Sequence, residues 1–253
     1  MKMRILSAIL VISTLLSLPS GAAAMDSEIR IEPYLWNAGF SGTLGVPGTG
    51  PGLPGNIIDT TFGDLIGNLE IAGGGMLYGE WRGNRWSVFG DWTYARLTSQ
   101  TTSSPIPILF SGVEGELKGH IVQGASGYRI YGGEMSRADV FGGVRYYDLS
   151  IRLGLQAGLL EPRSLSAHDA WADGIVGARW ESVLRDNWVL GLQGDVGTGS
   201  SDYTWQGNGS IAYRFSWCSI TAGWRHLKVK YEKSGIKLDV ALSGPYLGVL
   251  FRF

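Results

Sequence analysis

The fold class this sequence predicts is all-β: an antiparallel transmembrane β-barrel of about ten strands, with eight or twelve as the alternatives. Three observations point there. From about residue 66 onward, apolar and polar residues alternate in runs separated by turn residues, the period-2 pattern of strands with two unlike faces. Gly, Trp and Tyr number 39, 10 and 11 in 253 residues, while only 17% of residues are charged. Strands that meet lipid on one side and water on the other need such a mixture. The chain also closes on an aromatic strand, in which Leu247, Val249, Phe251 and Phe253 share one apolar face, as at a membrane interface.

The N-terminus reads as a secretory signal peptide over residues 1–24. Lys2 and Arg4 precede an apolar run from Ile5 to Leu18, and Ala22-Ala23-Ala24 offers a small-residue cleavage site. The barrel domain is then expected over residues 25–253. No later stretch approaches about 18 uninterrupted apolar residues, so any spanning is expected from strands, whose backbone groups a closed barrel pairs internally. Without Lys2 and Arg4 the chain carries 19 basic against 22 acidic side chains, a balance that gives nucleic acid no footing as a partner. The single cysteine, Cys218, excludes a disulfide framework and a Cys-rich metal site, and reads as a small apolar filler at a turn.

Ten strands follow in order, at residues 29–44, 66–82, 85–98, 111–131, 137–153, 170–184, 188–199, 203–216, 219–232 and 236–253. Tight turns fall at Gly83-Asn84, Gly132 to Ser136, Arg185-Asp186-Asn187 and Trp217-Cys218. Between them lie longer connections: Gly45 to Leu65, rich in Gly and Pro, then Ser99 to Phe110, then Gly154 to Asp169. Two short ones sit near Ser200-Ser201 and Lys233-Ser234. An even strand count puts both termini with the tight turns, as expected of a barrel with periplasmic turns and extracellular loops.

Faces can be assigned by alternation. The eighth strand sets Tyr203, Trp205, Ile211, Tyr213 and Phe215 against Thr204, Gln206, Asn208, Ser210, Arg214 and Ser216. The third sets Trp86, Val88, Trp92 and Tyr94 against Ser87, Asp91 and Thr93, with Phe89 on the polar side. Aromatics gather near strand ends, which favours a girdled barrel over a soluble sandwich. The polar faces predict lumen-lining charges at Glu80, Asp91, Arg145, Asp173, Arg179, Glu181, Asp195, Arg214 and Arg225, with Lys237 and Asp239. Glu114, Glu116, Lys118 and His120 form a further alternating set that could line the lumen, His120 being its pH-sensitive member. Mixed signs in a narrow interior predict cross-strand pairing. At Arg145, and again at Arg225, the alternation changes phase. The last strand also shifts, from Ile236, Leu238, Val240 and Leu242 to Leu247 and Val249, and a β-bulge around Ser243-Gly244-Pro245 would explain it.

The ending Tyr246, Gly248, Phe251 and Phe253 resembles the C-terminal signal by which bacterial outer-membrane barrels are recognised for assembly. Glu32-Pro33-Tyr34-Leu35-Trp36-Asn37-Ala38-Gly39-Phe40-Ser41-Gly42 resembles the opening of a group of uncharacterised proteobacterial outer-membrane β-barrel proteins. Gly194-Asp195-Val196-Gly197, Ser201 to Gln206 and Ser243 to Phe253 are similar to that group as well. The resemblance covers most of the chain beyond the signal peptide. It implies a bacterial outer-membrane location and a barrel architecture, and carries no activity.

Outer-membrane barrels of this size include proteases and lipid-A-modifying hydrolases. Omptin-type proteases resemble the chain in strand number and use acidic pairs plus a histidine at the outer rim; the histidines here are His120, His168 and His226. Ser166, His168 and Asp169 bring three hydrolase residue types into one predicted loop, but catalysis needs fixed mutual geometry. Their order is also opposite to the histidine-then-serine order of lipid-A deacylase barrels. Gly73-Gly74-Gly75 lies within a strand, where glycine permits close packing against an aromatic neighbour. No metal motif is present, and no cofactor is expected. The expectation is a non-enzymatic barrel with a structural or surface-interaction role. A narrow porin-like channel is the alternative and a rim hydrolase a weaker third. Its expected partners are outer-membrane lipid, the barrel-assembly machinery, and small solutes or an extracellular ligand.

Overall fold

Alternation becomes hydrogen-bonded strands in the computed structural model, which describes residues 27–45, 70–101, 110–157, 163–185, 187–233 and 236–253. The signal-peptide reading and, past Gly45, the 45–65 connection lie outside those residues. Eleven strands are described: β1 Glu28–Trp36, β2 Gly39–Gly45, β3 Glu70–Arg82, β4 Trp86–Thr101, β5 Phe110–Gly132, β6 Ser136–Ala157, β7 Arg163–Arg185, β8 Trp188–Gly199, β9 Tyr203–Arg214, β10 Ser219–Lys233 and β11 Ile236–Arg252. All neighbours are antiparallel, and β1 pairs with both β3 and β11 to close the sheet. The strands β1 and β2 run in one register along β11, from Arg30↔Arg252 to Lys237↔Gly45, interrupted at Asn37 and Ala38. They form one stave, so the barrel has ten.

The interruption has a local cause. Pro245 has no N–H to give the ladder, and its carbonyl accepts from Asn37 N at 2.9 Å. A Cβ on Gly244 would lie 1.9 Å from the Asn37 carbonyl oxygen, so only glycine lets the two strands meet there. Gly42, at φ +133, holds the second crossing against Asp239 and Val240.

Side chains split by parity. On β1 the exposed Ile29, Ile31 and Leu35 alternate with the buried Arg30, Tyr34 and Trp36. On β4 the exposed Trp86, Val88 and Trp92 alternate with the buried Ser87, Phe89 and Thr93. Phe89, the apolar residue on the polar face, packs inside against Phe141, with ring centroids 5.2 Å apart. Aromatic contacts ring the short-turn end: Trp86 with Tyr128, Trp188 with Tyr213, Tyr213 with Phe215, and Trp217 with Phe251. Trp92 lies over Gly75, so the glycine run does make room for an aromatic neighbour.

The predicted phase breaks are corrected by the register. Pairing of β6 with β7, and of β10 with both β9 and β11, runs without a shift through Arg145, Arg225 and Pro245. The irregularities fall near strand ends instead, at Ile71/Gly73, Phe110/Gly112, Arg129/Tyr131 and Val183/Arg185. Parity is therefore constant through the middle of each stave. Tyr147, Leu227, Val229, Leu238 and Val240, which read as outward, are inside. The apparent break is a change in what fills the interior.

Candidate functional site

The lumen is filled in layers. At the short-turn end Glu181 on β7 faces three arginines: Arg30 and Arg82 each lie 3.0 Å from its Oε2, and Arg214 lies 3.5 Å from Oε1. Arg82 also pairs with Glu80 at 2.8 Å. Deeper in, Arg179 joins Glu80 at 2.5 Å and Asp139 at 2.9 Å, donates to Ser87 Oγ, and lies 4.9 Å from the centre of the Phe89 ring. Asp139 is shared with Arg137. The pairs of Arg30 and Arg82 with Glu181, and of Arg179 with Glu80, link staves on opposite sides of the barrel, so a guanidinium lost from any of them takes a partner from a buried carboxylate.

Midway, two arginines complete the polar layers. Arg145 is fully buried, donates to Gln123 Oε1 at 2.6 Å and pairs with Asp195 at 2.8 Å. Arg225 donates to Tyr34 Oη at 2.7 Å, to Asp91 at 3.1 Å and to Gln206 at 2.8 Å, and covers the Trp36 ring at 4.8 Å. A cavity of about 160 Å³ remains among these layers, lined in part by Glu32, Asp91, Gln193, Asn208, Thr221 and Tyr246.

Beyond Arg225 the interior turns apolar. Tyr34, Trp36, Tyr147, Trp171, Leu227, Val229, Tyr231, Leu238 and Val240 form one buried cluster. Its centre is a stack of three rings, Tyr147 on Trp171 at 5.0 Å and Trp171 on Tyr231 at 4.2 Å. The strands β7 and β10 are not neighbours, since β8 and β9 lie between them in the sheet. The stack therefore crosses the lumen. It is pinned by Tyr231 Oη donating to Asp169 at 2.6 Å and by Trp171 Nε1 donating to Ser201 at 2.9 Å. Asp173 accepts from the Ser201 backbone N–H at 2.8 Å, which folds the β8–β9 turn inward.

Glu80, Asp91, Arg145, Asp173, Arg179, Glu181, Asp195, Arg214 and Arg225 all reach this interior, and all but Asp173 make ion pairs there. Four residues expected there do not. Glu116, Lys118 and His120 share parity with the exposed Val122 on β5, and His120 stacks on Tyr94 at 4.5 Å on the outer wall. Asp239 likewise turns outward, to Lys228. These positions lie past the apolar belt, where the outer face meets water and charge is at home on it. The side chains of Glu114 and Lys237 lie outside the described residues.

The Ser166, His168 and Asp169 group is also dispersed. These residues sit in β7 and not in a loop, so Ser166 and His168 face outward while Asp169 turns in to Tyr231. His168 Nε2 meets Asp148 Oδ1 at 3.1 Å. Among the described residues no cluster of His, Cys, Asp and Glu is arranged to hold a metal ion. Of the ending, Tyr246 and Gly248 face the interior, Phe251 meets Trp217 outside, and Phe253 exchanges two 2.9 Å backbone hydrogen bonds with Ile29.

Sequence reading missed Arg30, Arg82 and Asp139 as lumen charges. A signal existed for the first: Glu28, Arg30 and Glu32 alternate with Ile29 and Ile31. The outer wall holds one more assembly. Glu116 Oε1 lies 2.6 Å from Arg96 and 3.0 Å from Lys118, and Oε2 lies 3.6 Å from Arg152. Hydrogen bonding from Lys118, with help from Arg96, holds the Glu116 carboxyl below the usual carboxylate range.

No protein-family model matches the chain, and no curated protein sequence matches it. Among solved structures, the translocator domain of the autotransporter NalP from Neisseria meningitidis aligns over 98% of this chain and 95% of its own, with a TM-score of 0.46 and 14% identity. The attachment invasion locus protein Ail of Yersinia pestis aligns over 91% and 100%, with a TM-score of 0.34 and 12% identity. The transport unit of the autotransporter AIDA-I from Escherichia coli aligns over 98% and 97%, with a TM-score of 0.38 and 9% identity. All three are similar in outline only; the ten-stave barrel of this chain stands on its own strand pairing.

Proposed function

We propose that this protein is a closed, non-enzymatic barrel of a bacterial outer membrane, with a structural or surface-interaction role. Its short turns face the periplasm and its longer connections face the exterior. The observation that carries this reading is the Tyr147–Trp171–Tyr231 stack, which crosses the lumen above layers of buried ion pairs. A ten-stave barrel sits near the size at which side chains alone fill the interior, and here aromatic rings occupy the bore. Lipid meets the apolar outer belt. The C-terminal strand, with Phe251 and Phe253, is the element offered to the assembly machinery. A narrow channel is the second reading, favoured by the cavity on the periplasmic side of Arg225.

Single-channel recording of the refolded protein in a planar bilayer tests the choice. A silent wild-type barrel and a conducting Trp171→Ala/Tyr231→Ala variant are expected. Discrete wild-type conductance whose ion selectivity changes with Arg179→Gln would replace the closed reading with the channel.

A further inference from the structure

We infer that Arg96, Lys118 and Arg152 form a clamp on the outer wall for the phosphate groups of an anionic glycolipid in the leaflet around the barrel. The inference rests on the membrane orientation proposed above and adds a ligand to it. Strand register builds the clamp: Arg96 on β4 lies directly opposite Lys118 on β5, and Glu116 on β5 directly opposite Arg152 on β6. All four share the outer face with Trp92, Tyr94 and Val122. Arg96 is two residues beyond Tyr94, about 7 Å along the stave. The clamp therefore stands just past the aromatic belt, at the level where lipid phosphates lie.

Exposure decides which charge a ligand meets. The cation side chains are 45%, 33% and 68% exposed for Arg96, Lys118 and Arg152, whereas Glu116 is 18% exposed. The carboxylate sits beneath and spaces the cations. Among the described side chains of this group, three cations stand over one carboxylate and leave an excess positive charge directed outward. Two guanidiniums give forked donors that suit phosphate oxygens, and the lysine adds a mobile point charge. A soluble anion would not need the aromatic belt below. A lipid phosphate uses both, its acyl chains lying along Trp92 and Val122 while its head meets the cations. The outer-wall pairs Lys228–Asp239 and Lys230–Asp202 match cations with carboxylates one to one and leave no such excess.

The test uses the full refolded chain in detergent micelles, with native mass spectrometry reading retention of a bisphosphorylated glycolipid of the lipid A class. Its dephosphorylated counterpart and inorganic phosphate serve as arms. Wild type is expected to retain the phosphorylated lipid and not the dephosphorylated one. Arg152→Glu, at the most exposed position, should weaken retention about tenfold, and Arg96→Ala/Lys118→Ala/Arg152→Ala about 30-fold or more. Glu116→Gln should bind at least as well as wild type. Equal retention by wild type and a folded triple variant overturns the clamp, as does equal retention of the dephosphorylated lipid. Inorganic phosphate competing as strongly as the glycolipid overturns the lipid assignment. Folding is read separately, by the heat-dependent gel shift of the barrel. A wild type without that shift would fail the barrel reading itself, whatever the lipid result.

Discussion

The two halves of this barrel wear their chemistry in opposite senses. In the half at the short-turn end Ile29, Ile31, Val88 and Val144 face out while Arg30, Glu80, Arg145 and Asp195 face in. In the opposite half Glu116, Lys118, Lys228 and Asp239 face out while Tyr147, Leu227, Val229 and Val240 face in. Each stave keeps its parity through this switch, and in the membrane placement proposed above the medium changes around it. Within hydrocarbon the outer face must be apolar and the interior carries the polar groups. Past the belt the outer face would meet water, and the interior can become an ordinary apolar core. The switch falls at Arg145 on β6 and Arg225 on β10. From Trp86 to Tyr94, and from Ala138 to Tyr146, the outer face is apolar for about nine residues, the length a tilted strand needs to cross a bilayer.

The comparison can be broken most severely in the middle layer. Arg145→Ala leaves Asp195 buried without its partner and should lower barrel stability by about 3–5 kcal/mol, read from the denaturant midpoint of the folded band. Arg145→Leu/Asp195→Leu should recover most of that; a double variant as unstable as the single would sink the paired-charge account. In the half away from the short turns Trp171→Ala should cost about 3 kcal/mol, because it removes the middle ring of the stack. No loss of stability there would show that the rings do not form a core.

The boundary itself can be located on one stave. Val144→Arg should cost about 2–4 kcal/mol, since it sets a cation against hydrocarbon. Ser150→Arg has the same parity six residues on and should change stability by no more than about 0.5 kcal/mol. Equal costs at the two positions would remove the boundary between them. A comparably small effect is expected at Lys228→Ala, about 0–1 kcal/mol, because its pair with Asp239 is partly exposed on the outer wall. A cost of several kcal/mol there would mean that the outer face away from the short turns is not solvated.

Much of this was legible in the sequence. Strand number, tight turns and the faces of β4 and β9 follow from period-2 alternation and turn chemistry, which need no knowledge of distant residues. Asp91, Arg179 and Arg225 could be placed inward by parity alone. Other features were not legible. Glu116, Lys118 and His120 alternate as cleanly as any lumen-facing set, so their pattern does not say which side of the wall they occupy. Arg225 meets Tyr34 across 191 positions of sequence, and no local pattern encodes that contact. Ser166, His168 and Asp169 looked like a loop cluster because Pro162 lies close by, whereas β7 begins at Arg163 and separates them onto two faces.

By itself the sequence determined an all-β chain, staves with two unlike faces, and an aromatic closing strand. Alternation and turn chemistry act over a few residues, so they can be read locally. Only the tertiary structure decided which face is the inside at each height, which charges meet, and that three aromatic rings stack across the lumen. Those outcomes depend on register between strands far apart in sequence. They depend too on where each stave leaves the hydrocarbon layer, and a period of two carries neither.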